Sequence, residues 1–145
     1  MIGEDGAVSV VELHLVEDRY GPIALETLLR RVSERYAEVV ALPLPHVRAF
    51  VTLHAPELFA VGGVSAAVDG DAAPYFVATV LEGRPVATRQ RLLGALTDVV
   101  VDVLGATRSR VRGRVVEVAP TDWAVGGVPA VAGRREEIVA RSPML

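Results

Sequence analysis

An arginine, an aromatic residue and a glycine pair each occur twice in this chain of 145 residues, and the two copies are 64 positions apart. Arg48, Phe59 and Gly62-Gly63 return in the same order as Arg112, Trp123 and Gly126-Gly127. A planar guanidinium donates two parallel hydrogen bonds and therefore suits a carboxylate. The spacing indicates a duplicated unit that carries a duplicated anion-binding site.

The composition argues against several other kinds of chemistry. The chain has no Cys, and all fifteen basic residues are Arg, so neither a thiolate nor a lysine amine is available. A net charge of −3 argues against a nucleic-acid partner. No apolar run approaches the roughly 18 residues of a membrane span, and no metal-site or phosphate-loop pattern is present. We expect no metal, no cofactor, no nucleic acid and no membrane, and the absence of a signal-like start predicts a cytoplasmic protein.

Each half of the chain has the pattern β-α-β. In the first half we predict strands over residues 8–16 and 47–53, a helix that begins at Pro22 and stops before Pro43, and a hairpin arm over residues 64–68. In the second half we predict strands over residues 75–81 and 111–118, with a helix opened by Pro85 and closed by Gly105. A short helix is expected over residues 134–141.

These elements predict an α/β (α+β) fold in which the two halves share one core. A half of about 65 residues is marginal for a core of its own, so we expect one domain over residues 1–145. It contains units 8–68 and 74–130 and a tail, 131–145. The two units can form a four-stranded sheet with both helices on one face. The other face would be bare, which favours self-association.

The stretch from Pro74 to Pro85, with Arg112, Trp123 and the second glycine pair at their distances, resembles one unit of the tautomerase superfamily, whose type member is 4-oxalocrotonate tautomerase. Residues 11–63 resemble the same unit with one extra residue. The chain is thus similar to fused two-unit members such as cis-3-chloroacrylic acid dehalogenase and malonate semialdehyde decarboxylase. The resemblance implies a homotrimer that binds a small oxo acid or another enolisable carbonyl compound.

In that family an N-terminal proline is the general base or acid. Its counterparts here are Ser9 and Pro74, and a proline nitrogen inside the chain is an amide without useful basicity. The family's carboxylate-binding arginines correspond to Arg84 and Arg112 in the second half and to Arg19 and Arg48 in the first. Phe59 and Trp123 match the aromatic residue that walls the pocket, although both could equally be packing anchors. The resemblance therefore implies that the chain retains the family's substrate-binding residues but lacks the basic amine of the N-terminal proline.

The candidates for a replacement acid or base are His14, Glu12, Ser9 and Tyr36, with Asp122 beside Trp123 as a further one. His14 shares a strand face with Glu12, and histidine is a residue type suited to acid–base chemistry, although the type member has a non-catalytic His there. Ser9 lies at the start of the same strand. Tyr36 loosely matches a functional His of the dehalogenase, but it also fits the apolar stripe of its helix.

The leading hypothesis is an isomerase or lyase in which paired arginines stabilise an enol or enolate. Arg84, Arg112 and His14 would be catalytic, and Arg19, Arg48, Trp123, Phe59, Tyr36, Ser9 and Pro74 would bind the substrate. The alternatives are a non-catalytic binding or structural trimer, and a subunit that assembles with a proline-bearing paralogue.

Overall fold

Both halves of the chain contribute to one four-stranded sheet in the computed structural model, which describes residues 8–70 and 72–131. In chain order its strands are β1 (Ser9–Val16), β2 (Arg48–His54), β3 (Ala60–Val61), β4 (Val64–Ser65), β5 (Tyr75–Leu81), β6 (Arg112–Val118), β7 (Ala124–Val125) and β8 (Val128–Pro129). Its α-helices are α1 (Pro22–Val40), α2 (Ala66–Asp69) and α3 (Val86–Leu104). The sheet order is β2-β1-β5-β6, with β1 parallel to β2, β5 parallel to β6, and β1 antiparallel to β5. The antiparallel pair in the centre joins the two repeats.

The hydrophobic core lies between one face of this sheet and the two long helices. Side chains alternate along a strand, and the alternate residues of the two central strands are fully buried, namely Val11, Leu13, Leu15, Phe76, Ala78 and Val80. The helices cover them with residues at helical spacing, among them Leu28, Val32, Leu92, Leu96 and Val99. Both helices therefore lie on one face, which confirms the predicted fold.

The ends of the long helices follow the predicted signals with small shifts. Pro22 is the first residue of α1, and Pro85 immediately precedes α3. Gly105 ends α3 in the left-handed conformation at φ 67°, as expected for a C-cap glycine. Within the described ranges, no helix is both long and apolar enough to cross a membrane.

Some boundaries differ from the sequence prediction, and one predicted element falls outside the structure. The arm predicted over residues 64–68 is only partly strand, because β4 ends at Ser65 and α2 follows at once. Three strands begin one residue later than predicted, since β1, β2 and β6 start at Ser9, Arg48 and Arg112. The helix predicted over residues 134–141 lies outside the described residues.

Each glycine pair closes a tight hairpin. Gly62 and Gly63 have φ values of 61° and 82°, and Gly126 and Gly127 have 57° and 80°. Two consecutive positive φ values are the requirement of a type I′ turn, which glycine meets without strain. The repeated glycines thus form the β3-β4 and β7-β8 hairpins.

The sheet face away from the helices is bare in the single chain. Val10, Glu12 and His14 of β1 lie on it, and in register beside Glu12 are Phe50 of β2 and Val77 of β5. Phe50 is 45% exposed. This face agrees with the expected surface for self-association.

Candidate active site

The four candidate arginines lie at two opposite ends of the sheet. Arg112 is in register with Tyr75, at the start of β5, whereas Arg84 follows the end of that strand. The seven residues of β5 separate the two by about 20 Å at 3.3 Å per residue. Arg84 and Arg112, which come from one repeat, therefore do not meet within one chain.

Arginines from different repeats share an end instead. Arg48 is in register with Val10, and Ser9 with Val80, so Arg48 and the loop that carries Arg84 are both at the start of β1. By the same geometry Arg19, which follows β1, shares the start of β5 with Arg112. We call these the Ser9 end and the Pro74 end. Arginines of different repeats meet because β1 and β5 are antiparallel at the centre of the sheet. A comparison of the two repeat sequences does not reveal this pairing.

All four guanidinium groups donate to backbone carbonyls. Arg48 Nη1 lies 2.8 Å from the Pro45 oxygen, and Arg112 Nη1 lies 2.7 Å from the Ser109 oxygen, so the two repeats have the same arrangement. Arg84 Nη1 lies 2.8 Å from the carbonyl oxygen of Val40, at the C-terminus of α1, and Arg19 Nη2 lies 3.2 Å from that of Ala66.

None of these four arginines forms an ion pair with a carboxylate among residues 8–70 and 72–131. Other arginines do, for example Arg30 with Glu34, Arg89 with Glu117 and Arg108 with Asp98. Arg19, Arg48 and Arg112 are exposed, and Arg84 is half-buried. The candidate arginines thus keep a positive charge that an anion can neutralise.

At the Ser9 end, two predicted site residues are part of the core. Ser9 is buried, and its hydroxyl donates to the His46 carbonyl at 2.8 Å. Tyr36 is also fully buried, with its hydroxyl 2.5 Å from the Thr79 oxygen and 3.2 Å from the Val8 oxygen. Burial raises the pKa of Tyr36 far above its ordinary value of 10.0, and the nearby Arg84 opposes this only in part. A neutral, buried phenol connects strands here and does not line an open pocket in the single chain.

The Pro74 end carries a cluster of titratable and aromatic side chains. His14 Nδ1 lies 2.8 Å from His54 Nε2, and the two rings stack with centroids 5.1 Å apart. His14 also stacks on Tyr75 at 5.7 Å, and His54 lies against Phe59 at 5.8 Å. Glu12 Oε1 is 3.7 Å from His14 Nε2, the other nitrogen of that ring.

Sequence reasoning identifies His14 and Phe59 but misses their neighbours. His54 has no metal-ligand spacing along the chain, and nothing in the sequence pattern singles out Tyr75. The signal that could have found them is strand register, because His14 faces Tyr75 across the central pair and Thr52, two residues before His54, across the outer one. That register cannot be deduced from either half alone.

The other two predicted residues are placed as follows. Pro74 is buried just before β5, and its carbonyl accepts the Arg112 backbone N–H at 3.1 Å. Trp123 occupies the second-repeat position of Phe59, and its Nε1 is buried without a hydrogen-bond partner among the described residues. In the described ranges, no group of three or more His, Cys, Asp or Glu side chains is arranged so that it could hold a metal ion.

Comparisons with known proteins agree with this architecture. A family model described as "Tautomerase enzyme" matches residues 76–132. A Ralstonia nicotianae protein, "Probable tautomerase RSp0893", is 39% identical over 61 residues, which are 42% of this chain and 87% of that protein. Two solved structures, of native fused 4-OT and of a fused 4-OT symmetric trimer, are each 26% identical. They cover 85% of this chain and 97% of their own, with TM-scores of 0.79 and 0.77.

A more distant neighbour shares the fold alone. The macrophage migration inhibitory factor of Toxoplasma gondii is 18% identical, with a TM-score of 0.69 over 83% of this chain and 98% of that one. The family model and the Ralstonia relative show the family, and the fused 4-OT structures extend the likeness over 85% of the chain. The chain belongs to the tautomerase superfamily.

Proposed function

We propose that this protein is an isomerase or lyase that acts on a small carboxylate with an enolisable carbonyl group, and that it works without an N-terminal proline. The observation that carries the proposal is that two arginines share each end of the sheet, Arg48 with Arg84 and Arg19 with Arg112. None of the four is paired with a carboxylate among the described residues. Fixed positive groups beside a reacting carbonyl stabilise the negative charge of an enolate. The reaction class is tautomerisation, cyclisation or decarboxylation.

A homotrimer is part of the proposal. The bare sheet face needs a partner, and one of the fused 4-OT neighbours is a symmetric trimer. In such an assembly each pair of arginines would be enclosed by a second copy. Enclosure excludes water, and exclusion of water strengthens contacts between the guanidinium groups and an anion.

The proposal is tested by ketonisation of phenylenolpyruvate and of 2-hydroxymuconate. Each substrate carries a carboxylate beside an enol. If the Pro74 end is the active site, Arg19→Ala and Arg112→Ala should each lower kcat/KM by about 10- to 100-fold; if the Ser9 end is, Arg48→Ala and Arg84→Ala should do so. This factor corresponds to the free energy of one charge-assisted hydrogen bond. Arg30→Ala is the matched control, because Arg30 is paired with Glu34 on α1 and its replacement should leave kcat/KM within about twofold. The lost ion pair should lower the free energy of unfolding by only roughly 0.4 kcal/mol. Full activity in all four site variants would overturn the site assignment.

The second candidate function is a non-catalytic trimer that binds the same anions. It is favoured by Ser9 and Pro74, since one is a buried hydroxyl and the other an amide nitrogen. Binding of an oxo acid without turnover would support it. A third possibility, assembly with a proline-bearing paralogue, predicts that the purified protein is inactive alone and gains activity when the two are co-expressed.

A further inference from the structure

The two ends of the sheet have the same arginines but different side chains between them. In the repeat, the positions of Glu12, His14 and His54 correspond to Val77, Thr79 and Val118. The strand register agrees with this correspondence. His14 of β1 pairs with Tyr75 of β5 at the Pro74 end, and Thr79 of β5 pairs with Val10 of β1 at the Ser9 end. The Pro74 end thus has two imidazoles where the Ser9 end has a threonine and a valine, and Glu12 lies beside Val77 at the centre of the sheet.

We propose that Glu12, His14 and His54 form an acid–base relay at the Pro74 end, in which His54 exchanges a proton with an enolisable substrate while His14 and Glu12 stabilise the charge that His54 acquires. This inference rests on the proposed function and names the group that replaces the proline. The three side chains come from two neighbouring strands and lie on the bare face, beside the ring of Tyr75.

The direction of the relay follows from the distances. A neutral imidazole carries one N–H, and the carboxylate 3.7 Å from His14 Nε2 favours the proton on that nitrogen. His14 Nδ1 then has the lone pair, so the 2.8 Å contact must be donated by His54 Nε2. His54 Nδ1 is therefore the basic nitrogen, and none of the described residues forms a hydrogen bond with it.

Charged groups of both signs lie on the elements around the imidazole pair. Arg112 lies on the same face two strands from His14, about 10 Å away between Cα atoms. Arg19 donates to the Ala66 carbonyl, and the Ala66 N–H donates to the Phe59 carbonyl. His54 contacts the ring of Phe59, so Arg19 and His54 both lie beside the β3-β4 hairpin. The other titratable or charged residues of the adjoining segments are Glu12, Glu17, Asp18, Glu57 and Tyr75. A carboxylate on either arginine would bring its enol towards the imidazole pair.

The proposed step is an internal transfer of one proton. His54 Nδ1 accepts the enol O–H proton as the oxygen becomes a carbonyl, and the C=C electron pair takes the proton back at the neighbouring carbon. One O–H bond breaks, one C–H bond forms, and no co-reactant is consumed. While His54 is charged, its bond to His14 becomes charge-assisted, and Glu12 compensates from the far side of His14.

The first test is replacement of each imidazole. His54→Asn and His14→Asn should lower kcat for phenylenolpyruvate ketonisation by about 100-fold or more while KM stays within about threefold. His46→Asn is the matched control, because His46 precedes β2 at the opposite end of the sheet, and it should leave kcat within about twofold. His54→Gln provides a second variant if His54→Asn does not fold.

Glu12→Gln tests the relay by a readout that a packing role does not move. Glu12→Gln should lower kcat by about 10-fold while KM stays within about threefold, because the carboxylate no longer compensates the charge that the imidazole pair carries during the transfer. An unchanged kcat would count against the relay.

Ring 15N NMR of the wild type tests the direction without any substrate. We expect the protons on Nε2 of both His14 and His54, and a proton on His14 Nδ1 would overturn the assignment. Full activity in both histidine variants, together with loss in Arg19→Ala and Arg112→Ala, would remove the relay and leave the proposed function standing. A wild type that converts none of the enol substrates would remove both.

Discussion

The ring of Phe76 fills the space into which a side chain at Gly113 would point. A Cβ on Gly113 would lie 2.2 Å from Phe76 Cζ, much closer than any real contact. Gly113 stands between Arg112 and Arg114 on β6. A glycine in the edge strand thus lets a buried ring of the neighbouring strand pass beneath it, directly beside a candidate site residue.

Gly113→Ala should therefore destabilise the protein by about 1–3 kcal/mol, the usual effect of overpacking a core. The free energy of unfolding in urea measures this change. Gly94→Ala is the control, since Gly94 lies within α3 and a methyl group there would have no atom within 4 Å. Alanine should stabilise that helix interior by about 0.5–1 kcal/mol. An unchanged urea midpoint for Gly113→Ala would show that Phe76 can move aside.

Tyr36→Phe should destabilise the protein by about 1–3 kcal/mol, because it removes the donor that serves the Thr79 carbonyl in the core. Tyr20→Phe is the control, as Tyr20 is only half-buried, and its effect should be smaller. Since Tyr36 holds strands together, the kcat of the folded variant should be unchanged. A large loss of kcat with unaltered stability would instead assign Tyr36 to the reaction.

Stability should also fall at high pH, and Tyr36 should account for part of the fall. Burial raises the pKa of Tyr36 in the folded chain above its ordinary value of 10.0, so above that pH the unfolded chain releases a proton that the folded chain keeps. The stabilisation is fully present below pH 10 and is lost as pH rises further, with a limiting slope of about 1.4 kcal/mol per pH unit. Urea unfolding from pH 9 to about 11 should show a shallower decline in Tyr36→Phe, and equal slopes would contradict the assignment.

Val77→Asp should dissociate the proposed trimer. Val77 lies on the bare face between Glu12 and Arg114 in register. Taking a carboxylate out of water in an interface costs several kcal/mol, and repulsion from Glu12 opposes its attraction to Arg114. Sedimentation equilibrium should give the mass of a single chain. Ile23→Asp, at a side chain that is 80% exposed at the start of α1, should keep the mass of the wild type. An unchanged mass for Val77→Asp would place the contact between copies elsewhere.

The secondary structure and the sheet could be predicted because local signals agreed with one another. Pro22 and Gly105 mark helix ends, and the alternation around Leu13 and Phe76 defines the buried face. Small shifts at the strand starts reflect the valines before Ser9, Arg48 and Arg112, which favour strand locally whether or not they pair.

The arrangement of the site could not be predicted in the same way. Whether Arg84 meets Arg112 or Arg48 depends on how the two repeats pair, and no residue within either repeat encodes that choice. The contact between His14 and His54 likewise joins residues that are 40 positions apart. Burial of Tyr36 could not be deduced for a further reason, because a tyrosine on an apolar stripe fits a core and a pocket equally well.

The antiparallel junction of β1 and β5 has a consequence for how such a chain can change over generations. Two identical subunits that met in this way would form two identical sites, and every substitution would appear in both. Once the units are fused, each end can change separately, so one end carries a histidine pair while the other has threonine and valine at the matching positions. Fusion of a duplicated unit therefore lets the two ends of one sheet diverge.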